Sequence, residues 1–282
     1  MTGPSPGTLY LVATPIGNLS DISMRAINTL GEVDFIAAED TRVTRKLLEH
    51  YNIKKQLISY HKHNSRTGGE KALARILAGE NCALVTDAGI PAVSDPGEDL
   101  VRLCVNENIP AVIIPGPCAA VSALALSGLP SDRFTFEGFL PVDKKSRSNL
   151  LDKLSTEERT MIFYEAPHKL LRTLNDLLNK LGDRHVSISR EMTKIYEETL
   201  RFTLSEAVEY FEQTPPRGEF VLVVEGVSAL DTDKGDKLNE AADIAARLIE
   251  NGSTASEAVK KAADETGCSK NALYKLIVDA SN

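Results

Sequence analysis

The first half of the chain alternates short apolar runs with segments of helical period. Leu9–Ala13, Val33–Ala38, Cys82–Thr86 and Ala111–Pro115 are each of strand length. Between them, Ile22, Ala26, Ile27 and Leu30 recur at helical spacing up to Gly31, and Leu100, Val101, Cys104 and Val105 repeat the pattern. Unbroken apolar strands joined by amphipathic helices predict βαβ units around a largely parallel sheet buried on both faces.

A Gly/Pro-rich joint, "IIPGPCAAVSALALSGLPSDRF", opens a second series. Its strands are expected near Phe134–Glu137, Thr160–Tyr164, Val186–Arg190 and Phe220–Glu225, some of them pairing antiparallel. "SALDTDKGDK" reads as a polar linker. From Leu238 the pattern is wholly helical: Ala241, Ile244, Ala245 and Leu248 share a face, Thr254 and Glu257 form a capping box, Gly267 is a stop, and Ser269 caps "NALYKLIV". The expected fold class is α/β, with one unit over 1–117, a second over 118–228 and a small helix-turn-helix-like module over 238–282.

Composition narrows the class. The 282 residues are 42% hydrophobic and 26% charged, ordinary for a globular protein with a full core. No apolar run approaches the roughly 18 residues of a membrane span, and "MTGPSPGT" lacks the pattern of a secretion signal, so a cytoplasmic location is expected. Cys82, Cys104, Cys118 and Cys268 are too scattered for a zinc site or a disulfide framework; buried thiols and no metal are expected. A net charge of −8 argues against indiscriminate nucleic-acid binding. One stretch departs from this balance: no acid lies between Glu49 and Glu70, where Lys54, Lys55, Lys62 and Arg66 stand with three histidines. Alone it reads as a solvated face, and beside an anionic partner as a contact surface.

Ligands of open α/β sheets sit outside the carboxyl ends of the strands. Five strand ends run into "TPIGN", "EDTR", "DAGIPAVSDPG", "YEAPH" and "REMTK". Asp40 or Thr41 caps the next helix, or serves function; the same choice applies to Asp95 before Pro96. Two Asp, two Gly and two Pro in "DAGIPAVSDPG" exceed what a strand-to-helix turn requires. In "PGPCAA", small residues where a helix begins let a flat ligand approach the backbone, or let helix and sheet pack tightly. Neither G-x-G-x-x-G nor a P-loop is present, so the rim suits a zwitterionic, adenosine-bearing ligand better than a polyphosphate.

Eight segments in order, "LYLVATPIGNLSDIS", "AAEDTR", "DAGIPAVSDPG", "PGPCAAVSALALSGLPSDRF", "EGFLP", "RTMIFYEAPHKLL", "REMTKIYEE" and "GEFVLVVEG", carry a resemblance. They resemble the tetrapyrrole methylase-like, or class III, S-adenosylmethionine-dependent methyltransferases, in the branch that modifies bacterial small-subunit ribosomal RNA. The resemblance implies two α/β domains with the cofactor in the cleft between them, a homodimer, and 2′-O-methylation of a cytidine in the decoding region, on an assembled or nearly assembled 30S subunit. It implies S-adenosylmethionine against Pro15 and Ile16, against Asp87, Gly89, Ile90, Pro91 and Val93 where related enzymes carry Gly-Asp-Pro, and against Cys118, Ala119, Glu165, Gly218 and Glu219.

Under that reading, transfer from a sulfonium to a ribose hydroxyl is an in-line displacement, helped by alignment and by a base. The base candidates are Asp40 with Glu39, Glu191, and Lys194 if burial and Arg190 depress its ammonium. Expected RNA contacts are Arg42, Lys54, Lys55, Lys62, Arg66, Lys144, Lys145, Arg147, Arg190, Lys270 and Lys275. The helical module reads subunit shape or caps the dimer. Two alternatives are a methyltransferase of a tetrapyrrole or other small molecule, which needs an enclosed apolar trough, and a non-catalytic adaptor for an adenosine ligand or ribosomal RNA. The acid-free basic stretch favours RNA over the former, and the mixture of acids and bases at several strand ends weighs against the latter.

Overall fold

The computed structural model describes residues 5–227, 240–249, 251 and 253–279. The linker "SALDTDKGDK" lies outside the described residues. Sheet one is built from β1 (Leu9–Val12), β2 (Phe35–Ala38), β3 (Gln56–Ser59), β4 (Cys82–Val85) and β5 (Ala111–Ile114), in the order β3-β2-β4-β1-β5. Every neighbouring pair in it is parallel. Its helices are α1 (Met24–Glu32), α2 (Thr41–His50), α3 (Ser65–Leu77) and α4 (Gly97–Asn106).

Alternation along the strands explains the two layers. Ile36, Ala38, Ala83 and Val85 pack with Ala26, Leu30, Leu47 and Leu48 of α1 and α2. Phe35, Ala37, Cys82 and Leu84 pack on the other face with Ala72, Ile76, Leu100 and Cys104 of α3 and α4. Both faces are covered, as an all-parallel sheet requires.

The chain crosses to sheet two through α5 (Ala119–Ser127). There β6 (Phe134–Phe139), β7 (Thr160–Glu165), β8 (His185–Arg190), β9 (Glu198–Thr203) and β10 (Phe220–Val224) take the order β6-β7-β10-β8-β9. Only β6 and β7 are parallel; β10 runs antiparallel to β7 and β8, and β9 antiparallel to β8. α5 covers one face through Ala120, Ala123 and Leu124. The other face is covered by α6 (Lys144–Leu154), α7 (Leu170–Leu181) and α8 (Leu204–Gln213). Arg201 of β9 donates to the carbonyls of Leu126 and Ser127, so the carboxyl end of α5 is tied to sheet two.

The last residues form three helices, α9 (240–249), α10 (Ala255–Thr266) and α11 (Lys270–Asp279), around a cluster of their own that includes Ala245, Val259, Ala262 and Leu273. The expected capping box is present at Thr254 and Glu257, and Gly267 ends α10 in the left-handed region, φ 73°. Among the described residues no helix is long and apolar enough to cross a membrane.

Three expectations on local structure change. α1 runs through Gly31 to Glu32; the sequence offers Asn18 to Asp21 as its cap, but the cap is Ser23, whose hydroxyl accepts from the Ala26 amide at 3.1 Å, and Asn18 caps the 3-10 turn Leu19–Asp21. β3 and β9 are strands that the apolar pattern misses, because both lie at sheet edges and are only partly buried. Cys82 and Cys104 are buried, with thiols pushed up to about 12 and about 11 by desolvation, whereas Cys118 and Cys268 are only half-buried.

Candidate active site between the two sheets

The site follows from topology. In a parallel sheet all carboxyl ends share one rim, so the segments after β1, β2, β4 and β5 gather there. In sheet two, β7 and β8 deliver their carboxyl ends to the cleft. The antiparallel β10 delivers its amino end to the same place: Phe220 pairs with both Glu165 and Arg190. Gly218 and Glu219 thereby reach the cleft although they precede their strand.

A cavity of about 520 Å³ occupies this junction. Sheet one lines it with Ile16, Glu39, the 86–90 segment, Val93, Ser94, Asp95, Cys118 and Ala119. Sheet two adds Phe139, Tyr164–Pro167, Glu191, Met192, Lys194 and Glu219–Val221. Apolar side chains make up much of the wall, and its charged groups are six carboxylates against one lysine. Such a wall repels a polyphosphate and accepts a cation. Among the described residues no cluster of His, Cys, Asp and Glu is arranged to hold a metal ion.

The loops are held by their own backbone. Thr14 and Gly89 exchange N–H···O bonds of 2.9 and 3.1 Å, stapling the loop after β1 to the loop after β4. Ala92 (φ 68°), Ser94 (φ 63°), Glu191 (φ 49°) and Thr193 (φ 65°) adopt left-handed backbone in the two loops that face each other across the cleft. For non-glycine residues this is strained geometry, of the kind concentrated at functional sites. Gly17 closes the junction: a Cβ there would lie 2.6 Å from Lys194 Cγ and 2.7 Å from the Met192 carbonyl. The glycine of "TPIGN" therefore serves the close approach of the two halves. At Gly218, φ is +84° and a Cβ would meet the Glu191 carboxylate at 2.5 Å.

Carboxylates on the sheet-one side are tied to main chain and hydroxyls. Glu39 accepts from the Thr86 hydroxyl at 2.6 Å, and Asp87 from the Asp40 amide at 3.0 Å. Asp95 Oδ1 accepts from the Ala92 and Gly97 amides at 3.0 and 2.7 Å, capping α4. Its Oδ2 is buried without a hydrogen-bond partner among the described residues, and burial pushes its carboxyl above the usual value. Burial likewise raises Asp87, with Glu39 and Asp40 adding to the shift.

On the sheet-two side, the Lys194 ammonium lies 2.9 Å from Glu191 and 3.6 Å from Glu219. The hydrogen bond to Glu191 raises Lys194, and the same bond holds Glu191 below the usual carboxylate value. Glu165 is buried; it accepts from the Ala166 amide at 2.9 Å and from the Thr173 hydroxyl at 2.5 Å, and Thr173 in turn accepts from Arg147 at 2.8 Å.

Glu39, Glu191 and Lys194 line the cavity, as do Ile16, Asp87, Gly89, Ile90, Val93, Cys118, Ala119, Glu165 and Glu219. Pro15 and Pro91 do not line it, and Gly218 lines a smaller cavity alongside. Asp40 does not line it either. Its carboxylate is the N-cap of α2 and is gripped by Arg42, which holds it at about 2, so the two side chains engage each other outside the cavity. The expectation of a depressed Lys194 is reversed, because Glu191 bonds to it directly and Glu219, just before the antiparallel β10, adds a second carboxylate, which together outweigh burial.

The basic residues divide by rim. Lys62 and Arg66 come after β3 at the cleft side, and Lys144 and Lys145 open α6 beyond the parallel β6. Lys54 and Lys55 precede β3 and so lie at the opposite end of a strand about 13 Å long. Arg147 is a correction: it is buried, with Nε 2.6 Å from Asp176, and presents nothing to RNA. Arg190 Nε sits 2.7 Å from Glu198, Lys270 is ion-paired with Asp264 at 2.7 Å, and Lys275 is exposed. Asp95, open between cap and function in the sequence, both caps α4 and lines the cavity. Phe139, Tyr164 and Met192 are cleft residues that the sequence does not single out, since each reads there as an ordinary apolar position beside a strand end.

Comparisons with known proteins give the family. A family model described as Tetrapyrrole (Corrin/Porphyrin) Methylases matches residues 8–208. A protein of Halalkalibacterium halodurans called ribosomal RNA small subunit methyltransferase I is 47% identical, covering 96% of this chain and 94% of its own length. One of the same name from Escherichia coli O157:H7 is 45% identical over 98% of this chain and 96% of its own. A Thermotoga maritima protein, again so named, is 49% identical over 220 residues, 78% of this chain but 99% of its own length. Among solved structures, a diphthine synthase superposes with TM-score 0.62 at 12% identity, covering 78% of this chain and 90% of that one. Uroporphyrin III C-methyl transferase from Thermus thermophilus gives 0.56 at 17%, covering 78% and 97%. The fold recurs in those structures, the family model spans most of both sheets, and the chain belongs to the tetrapyrrole (corrin/porphyrin) methylases.

Proposed function

We propose that this chain methylates the 2′-hydroxyl of a cytidine in small-subunit ribosomal RNA, using S-adenosylmethionine and acting in the cytoplasm on an assembled or nearly assembled 30S subunit. One observation carries the donor assignment: a cavity walled by six carboxylates and one lysine takes a sulfonium and an ammonium and refuses a polyphosphate. A Thermus thermophilus relative of the fold was solved complexed with S-adenyl homocysteine, which supports the same reading. The RNA assignment rests on the name shared by relatives at 44–47% identity over nearly the whole chain, and on Lys62, Arg66, Lys144 and Lys145 exposed at the cleft rims.

When bound, the donor supplies an electrophilic methyl group. Asp95 Oδ2, buried and unpartnered, would accept from its ammonium, while Ile16, Ile90, Val93 and Val221 would pack on its adenosine. Lys194 stays cationic and lowers the cost of charge developing on the attacking oxygen. Glu191, beside it, takes the departing proton. Alignment by two stapled loops supplies the larger share, up to roughly 7 to 11 kcal/mol in favourable systems.

A second copy of the chain covers the open edge at β5. Val112 and Ile113 on that edge strand, Val121 and Leu126 on α5 and Met24 on α1 are exposed apolar side chains from 41% to 71% accessible. Light scattering should give a dimer, and Ile113→Lys a monomer.

The test of the function is to incubate the chain with methyl-labelled donor and small subunits, naked ribosomal RNA or tetrapyrrole precursors. The expected product is one labelled cytidine ribose in subunits. Label on a base, or on a tetrapyrrole alone, refutes the reading.

A further inference from the structure

A second cavity of about 380 Å³ opens beside the first, lined by Arg190, Glu191, Tyr196, Arg217 and Gly218. The two cavities share Glu191, and Gly218 adjoins Glu219 of the first, so their junction is the Lys194–Glu191–Glu219 cluster. The loop between β8 and β9 holds Ile195 at 94% and Tyr196 at 78% exposure. Large apolar side chains so placed do not stabilise a fold, yet the backbone beneath them is firmly built. Thr193 donates its amide to the Glu197 carboxylate at 2.9 Å, and the Lys194 and Glu197 amides bond to the Glu191 and Lys194 carbonyls at 2.9 and 3.1 Å. Glu191 and Thr193 hold left-handed backbone to make the turn. Across the cavity, Arg217 is exposed and has no ion-pair partner among the described residues.

We propose that this second cavity seats the acceptor nucleotide, with Tyr196 stacking on its base and Arg217 meeting its phosphate. The inference rests on the RNA reading above and adds the place where the RNA enters. An extruded nucleotide offers a flat face and an anion, which an aromatic ring and a guanidinium recognise together. Its ribose then lies over Glu191 at the shared wall, where the hydroxyl meets the proton acceptor. Tyr196 and Arg217 are positioning residues that touch the substrate away from the reacting atoms.

The experiment measures methylation of small ribosomal subunits lacking the modification, with Tyr196→Ala, Tyr196→Phe and Arg217→Ala, alongside donor affinity by calorimetry. Tyr196→Ala should raise KM for subunits about tenfold or more, as loss of one stacked base does. Tyr196→Phe should restore it, Arg217→Ala should raise KM and flatten its salt dependence, and donor affinity should stay unchanged in all three. Labelled RNA with wild-type KM in both alanine variants overturns the subsite alone. A fall in donor affinity, or a change of oligomeric state in Tyr196→Ala, also overturns it by giving the loop another task. Wild-type protein that leaves the RNA unlabelled overturns the function and the subsite with it.

Discussion

At the cleft, sheet one holds its carboxylates with amides and hydroxyls, as sheet two holds the buried Glu165, whereas two other carboxylates of sheet two, Glu191 and Glu219, are held by a lysine. Glu39, Asp87 and Asp95 are fixed by Thr86 and by the backbone of Asp40, Ala92 and Gly97. Glu191 and Glu219 share the Lys194 ammonium. Backbone-held groups form a rigid cradle that needs no reorganisation when a ligand arrives. A side-chain ion cluster can exchange partners as charge develops. Under the proposed function the difference amounts to a division of labour, in which the parallel sheet holds the charged end of the donor and the ion cluster of the mixed sheet manages the acceptor proton.

The strongest way to break this division is at the ion cluster. Glu191→Gln and Lys194→Met should each lower single-turnover methyl transfer about 100-fold, within the range for a positioned acid–base or charge-stabilising group. Donor affinity should stay within about twofold. Gly17→Ala comes next, because its methyl would collide with the opposing loop at Lys194 and Met192; rate and donor affinity should fall together, by roughly tenfold, as expected when alignment is disturbed. Asp95→Asn keeps an oxygen for the α4 cap but loses the charge, so donor affinity should drop about tenfold, near 1.4 kcal/mol. Its rate at saturating donor should hold.

The pH profile sharpens the comparison further. Lys194 is raised and Glu191 lowered by their mutual hydrogen bond, so each favours its charged form. The stabilising contribution of Lys194 is present below its unfolded value and is lost as pH rises through the raised folded value. That of Glu191 is present above its unfolded value and is lost as pH falls through the lowered folded one. Transfer should therefore be flat across neutral pH with an acid limb below the ordinary glutamate value, and Lys194→Met should move that limb upward. Smallest of all, Asp40→Asn should change turnover by no more than about twofold, since the side chain caps α2 outside the cavity.

Burial and connectivity decide how much of this is legible in the sequence. β1, β2 and β4 show as unbroken apolar runs because both of their faces are covered. "QLIS" and "ETLRFT" do not, since edge strands keep polar residues and partial exposure. Most of the cleft is legible in the residues just beyond the carboxyl end of each strand, a rule that works while strands are parallel. Glu219 is legible only through the resemblance, because an antiparallel strand brings its beginning to the rim. The sign of the Lys194 shift is set first by Glu191, three residues before it in "REMTK", a local pair that the sequence reading passes over, and then by Glu219, which only the fold brings near. Arg147 shares the buried face of α6 with Leu151 and Leu154, so its helical phase separates it from Lys144 and Lys145.

The helical module contrasts with both sheets. Its core cluster draws on its own helices, and the Thermotoga maritima relative is matched along nearly its whole length by 220 residues, close to the span of the two α/β units. Under the proposed function, methyl transfer rests on residues before the linker.

The division between the sheets is tested most directly by a double-variant cycle. Donor dissociation constants and single-turnover rates would be measured for wild type, Asp95→Asn, Lys194→Met and the pair. The account predicts that Asp95→Asn changes only the first quantity and Lys194→Met only the second, with the pair showing both losses independently. Donor binding weakened as much by Lys194→Met as by Asp95→Asn would contradict it.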